Sequence, residues 1–191
     1  MKGVYIFLAD GFEISEALTT VDMLRRGNVN VKTVSIYDDR IVTSSNRIPV
    51  IADMAFGEFK ASTTFGPCIS KDVMIFPGGM PGSSNLASFK KLMDMMLQHF
   101  NEGGTVAAIC AAPSVVLSNL PDISGRRMTC YDGFEQALID KGAVYVKEGV
   151  VCDGNIITGR GPGWALEFGL AILSHIKGED VAAKVRQGLM L

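Results

Sequence analysis

The stretch Gly104-Thr105-Val106-Ala107-Ala108-Ile109-Cys110-Ala111-Ala112-Pro113 passes from an apolar strand into a helix with no loop between them. Residues 105–109 are apolar or β-branched without alternation, the pattern of a parallel strand buried on both faces. Pro113 suits the first turn of a helix, where a missing N–H costs nothing. The small residues Ala108, Ala111 and Ala112 allow a tight turn, and Cys110 stands at it. A side chain there is lifted out of the sheet and set over the N–H groups of the next helix, whose positive end favours thiolate over thiol. This context marks Cys110 as a functional thiol. The competing reading is a buried, inert cysteine, a common state of the free residue.

Working outward, strand-like runs fall at 3–8, 29–36, 72–76, 105–109 and 155–158, separated by segments of helical period. That is βαβ alternation, which predicts a parallel central sheet with helices on both faces. Helices are expected at 14–26, 84–100, 112–117, 134–141 and 164–176. The first has Arg25-Arg26 in its last turn and Gly27 after it, so its stop signals agree. Residues 42–53 read as a hairpin edge, with Asn46 near the turn and Pro49 tolerable only on an edge strand. Leu18, Val21 and Met23 in the first helix, with Phe168 and Ile172 in the last, offer more apolar surface than one sheet contact covers. That surplus is expected to meet a second subunit.

At 191 residues with 48% hydrophobic content, the chain suits one compact domain, 1–191, with a single core. A net charge of −2 gives no reason to expect nucleic acid or an anionic membrane as partner. No apolar run approaches the roughly 20 residues that span a bilayer, and the first strand is too short for a signal peptide. Cys68, Cys110, Cys130 and Cys152 have neither disulfide-framework nor zinc spacing, so the expectation is reduced thiols in a cytoplasm, with no metal and no cofactor.

Three loops follow the carboxyl ends of expected strands, the edge at which open α/β sheets carry their sites. They hold Asp10 to Glu16, Pro77 to Gly82, and Cys110. Gly78-Gly79 offers unobstructed N–H groups for an oxyanion, or is a plain glycine turn. Glu16 lies one turn inside the first helix. Beside a thiolate in a dry pocket it would be pushed toward its protonated form; otherwise it complements the helix dipole, which Glu13 fits better. His99 and His175 sit at helix C-termini as ordinary cations, which leaves a Cys-His triad without support. Arg160 either holds an anion or bridges a loop.

Four segments in register resemble the ThiJ/PfpI superfamily, in its DJ-one-like branch, over nearly the whole chain. They are Ala9-Asp10-Gly11-Phe12-Glu13-Ile14-Ser15-Glu16, Phe76-Pro77-Gly78-Gly79-Met80-Pro81-Gly82, Ala108-Ile109-Cys110-Ala111-Ala112-Pro113 and Gly159-Arg160-Gly161-Pro162-Gly163. The resemblance implies a flavodoxin-like three-layer α/β/α sandwich, usually a homodimer, with the cysteine at a nucleophile elbow. It implies that Cys110 is the reactive, oxidation-prone residue, that Glu16 is its protonated hydrogen-bond partner, and that the backbone of Gly79 and Ala111 binds anions. Members include glutathione-independent glyoxalases acting on methylglyoxal, deglycases, redox sensors, chaperones and proteases. Proteases place a histidine directly after the nucleophile, where this chain has Ala111. Several glyoxalases carry a histidine where this chain has Cys130, which becomes either a redox partner for Cys110 or a buried strand-end thiol. Likeness to class I amidotransferases is one of fold alone. The expectation is therefore an enzyme taking a small 2-oxoaldehyde. The alternatives are an oxidative-stress sensor or chaperone acting through Cys110, and a non-catalytic flavodoxin-like binding domain.

Overall fold

The apolar runs become β1 Val4–Leu8, β2 Val31–Ser35, β3 Ile41–Thr43, β4 Pro49–Ile51, β5 Met54–Ala55, β6 Val73–Phe76, β7 Thr105–Ile109, β8 Arg127–Met128, β9 Val144–Tyr145, β10 Val150–Asp153 and β11 Ile156–Gly159. The computed structural model describes residues 1–64 and 66–190. Seven strands form one sheet in the order β10-β11-β7-β6-β1-β2-β5. Every neighbouring pair is parallel except β10 with β11. The chain begins in the middle at β1, builds outward through β2 and β5, and returns to lay β6 on the other side of β1. Connections leaving β1 and β6 therefore diverge and open a crevice at the carboxyl ends of the strands.

The helices are α1 Ile14–Arg26, α2 Phe56–Ser62, α3 Gly82–Ser88, α4 Lys90–Asn101, α5 Ala112–Val115, α6 Gln136–Ile139, α7 Ala165–Lys177 and α8 Glu179–Gly188. Strand side chains alternate between two buried clusters, as the pleat requires. Phe7, Met74, Phe76, Val106 and Ala108 meet Leu92 and Met96 of α4. Ile6, Leu8, Ile75, Ala107 and Ile109 meet Ala17 and Leu24 of α1 and Phe168 and Leu173 of α7. The expected three-layer α/β/α sandwich with a mostly parallel sheet is borne out.

Helix α1 carries Glu16, and its seating depends on α7. A Cβ on Gly169 would come within 2.9 Å of Met23 Cβ and 3.2 Å of Thr20 Cα, so a glycine there lets the two helices touch. Some boundaries differ from the expectation. The helix expected at 84–100 is two helices broken at Phe89, whose ψ of 87° leaves the helical region without any glycine or proline. The segment 42–53 is a hairpin, β3 with β4, but it forms its own two-stranded sheet rather than an edge of the main one. Helices α2 and α8 and the antiparallel strand β10 were not anticipated. The last is short and half exposed, so its apolar pattern is weak.

Candidate active site

The loops after β1, β6, β7 and β11 meet at the carboxyl edge of the sheet, because those four strands are neighbours. Cys110 follows β7 with φ of 66°, in the left-handed region that a non-glycine residue adopts only where its surroundings hold it. Two backbone hydrogen bonds do so. Cys110 N–H donates to the Gly159 carbonyl at 2.9 Å, and Tyr131 N–H donates to the Cys110 carbonyl at 2.8 Å. Gly78 faces the elbow from the end of β6. A Cβ at that position would lie 2.5 Å from Cys110 Cβ and 2.6 Å from Glu16 Oε2, so only glycine lets the thiol and carboxyl approach.

Glu16 is fully buried on α1, and its Oε2 accepts the Gly78 N–H at 2.8 Å. Oε1 is buried with no partner at hydrogen-bond geometry among the described residues. Burial is the largest influence on the carboxyl and lifts its pKa from an ordinary 4.5 to about 7, against the Gly78 amide and the Cys110 thiol, which pull it down. The thiol is pushed up to about 12, first by burial and then by the charge of the adjacent Glu16 carboxyl, while the Gly79 and Ala111 amides pull the other way. The helix terminus was expected to leave a resting thiolate. The amides do favour one, but burial and the neighbouring carboxylate outweigh them. The two groups form a coupled pair that gives up one proton near neutrality and keeps the other.

Residues 2–175 match the DJ-1/PfpI family. The chain belongs to that family. It is 32% identical over its whole length to Protein dj-1beta of Drosophila melanogaster, covering 97% of that protein. It is 29% identical over 92% of its length to glutathione-independent glyoxalase DJR-1.2 of Caenorhabditis elegans, covering 89% of it. Among solved structures, Drosophila melanogaster DJ-1beta superposes with a TM-score of 0.88 at 30% identity, covering all of this chain and 98% of the other. Toxoplasma gondii DJ-1 in an oxidized form gives the same TM-score and coverage at 28% identity.

In this DJ-1/PfpI chain the remaining candidates separate. The Gly78 amide is committed to Glu16, so of the expected anion-binding amides only those of Gly79 and Ala111 act on the sulfur. Gly79 has φ of 87° and sits where a Cβ would strike Gly11 O and Glu13 N at 2.5 Å. Cys130 is fully buried in the cluster on the α4 side, whereas Cys110 packs against the α1 and α7 side. The two thiols therefore face different layers, and all four cysteines are unpaired. Arg160 takes the bridging alternative: its Nε and Nη2 donate to Asp132 Oδ1 and Oδ2 at 2.8 and 2.7 Å, and Lys147 Nζ lies 3.0 Å from the same carboxylate.

Both histidines stand in the last turn of their helices, as expected, but His99 is buried rather than a surface cation. His99 is fully buried, with Nδ1 3.2 Å from Cys68 Sγ and Nε2 3.0 Å from the Thr105 carbonyl, and burial lowers its pKa. His175 Nε2 lies 3.0 Å from Thr105 Oγ1. Both gather at the start of β7, about 16 Å along the strand from Cys110 at a rise near 3.3 Å per residue. No imidazole completes a triad. Sequence reasoning missed Asp132, whose partner lies 28 residues away, and the contact of Cys68 with His99, 31 residues apart.

Proposed function

We propose that this protein is a glutathione-independent glyoxalase that converts methylglyoxal to lactate. The observation that carries the reading is the buried Glu16, with a pKa near 7, set against the Cys110 thiol. A base titrating near the working pH can both take and return a proton. The Cys110 sulfur adds to the aldehyde carbon as Glu16 takes the thiol proton, and the new oxyanion accepts from the Gly79 and Ala111 amides. The hydrogen on the aldehyde carbon leaves as a proton and is returned to the adjacent ketone carbon. The first carbon is thereby oxidised to a thioester while the second is reduced to an alcohol. Water then cleaves the thioester, releasing lactate and the thiol, so no outside oxidant or cofactor enters. The relationship to the C. elegans glyoxalase supports this. Purified protein should form lactate from methylglyoxal without glutathione, and Cys110→Ala should abolish it; equal rates in the two would overturn the proposal.

A second reading, oxidation of Cys110 to a sulfinate, is favoured by the same amides, which suit an anion on the sulfur, and by the oxidized Toxoplasma gondii neighbour. Mild peroxide should add two oxygens at Cys110 by intact mass. Oxidation spread evenly over the four cysteines would rule against it. We further propose a cytoplasmic homodimer. Four unpaired cysteines suit a reducing compartment. No described helix is long and apolar enough to cross a membrane. The apolar surface expected to meet a second subunit needs correction, since Val21, Met23, Phe168 and Ile172 are buried within the chain. Leu18, at 37% exposure, is what α1 still offers.

A further inference from the structure

Beside the elbow lies a cavity of about 470 Å³ whose walls include Tyr131, Asp132, Arg160, Pro162 and Trp164. It adjoins Cys110 through the backbone on both sides, because Tyr131 N–H is bonded to the Cys110 carbonyl and Arg160 directly follows Gly159, the acceptor of the Cys110 N–H. Two aromatic rings stand open in it, Tyr131 at 48% exposure and Trp164 at 42%. The indole is closely seated: a Cβ on Gly149 would meet its ring at 2.2 Å, so one face rests on bare backbone. The polar end holds Asp132 between Arg160 and Lys147, a trio with one net positive charge.

Small-molecule sites run from about 300 to 1,000 Å³, and a substrate bearing only a methyl group leaves most of this space unfilled. We propose that Trp164 and Tyr131 form a subsite for a flat, apolar substituent, so that the enzyme prefers aryl 2-oxoaldehydes to methylglyoxal. Because Asp132 is shared by Arg160 and Lys147, that end of the cavity stays net positive, which suits the carboxylate of the aryl 2-hydroxy acid product. The preference rests on the glyoxalase reading above; the subsite itself does not.

Trp164 is the sole tryptophan of the chain, so its fluorescence reports the subsite directly. Titration with sodium mandelate should quench it saturably, sodium lactate should act far more weakly, and Tyr131→Ala should weaken the mandelate response. No saturable response, or equal responses to the two acids, overturns the subsite. In turnover, wild type should favour phenylglyoxal over methylglyoxal in kcat/KM, and Trp164→Ala should lose on the order of tenfold more on phenylglyoxal than on methylglyoxal, with Trp164→Phe restoring the preference. Parallel losses on both substrates overturn the preference. If wild type turns over neither aldehyde, the glyoxalase reading fails, and the preference with it, while the fluorescence titration still decides whether the subsite exists.

Discussion

Glu16 and Cys110 are each ordinary residues made unusual by the other. Replacing Glu16 with Gln keeps an acceptor for the Gly78 N–H but removes the charge, so the thiol pKa should fall well below the wild-type value of about 12. Iodoacetamide labelling across pH should show this, while turnover of methylglyoxal drops by about 10²-fold or more for want of the proton carrier. Faster alkylation with slower catalysis separates the two roles; unchanged labelling of the Glu16→Gln variant would refute the coupling. The same carboxyl makes stability depend on pH. The native state keeps its proton up to about 7, whereas the unfolded chain loses it near 4.5. Stability is therefore fully present below 4.5, is lost as pH rises to about 7, and then levels off at a cost of about 3 kcal/mol. Glu16→Gln should melt higher than wild type above pH 7, and the gap should close at pH 4, by thermal denaturation.

The elements hold this pair by packing that sequence patterns only partly reveal. The elbow was legible because strand, turn and helix lie within ten residues, and the α1 signals were equally local. Gly169 was not legible as the contact that seats α1, since its partners Thr20 and Met23 are far away in sequence. Nor did the break at Phe89 carry a mark, because tertiary packing rather than a breaker residue sets it. The role of Gly78 changed for the same reason: a glycine turn looks alike whether its amide is free or taken up by a carboxylate from another helix. Gly169→Ala should force α1 from α7 and cost about 1–3 kcal/mol by overpacking, read as a lower urea midpoint. A variant as stable as wild type would mean that the helices have slack.

The whole chain leaves apolar surface at Leu18 and, beyond α1, at Ile41, Ile48 and Ile51 around the hairpin. Light scattering at micromolar concentration should give twice the chain mass, and Leu18→Asp should halve it; a monomeric wild type would sink the dimer. The molecule also stores its chemistry in long-range order. Cys110 and Glu16 come together only after β1, β6 and β7 pair, so neither group has its native proton affinity in a nascent chain. Before that moment the thiol titrates near 9; afterwards it is held near 12. Completed molecules are thus the ones least open to alkylators at mildly alkaline pH, and a thiol-reactive tag at Cys110 becomes a timestamp, marking chains that met the reagent before their sheet had closed.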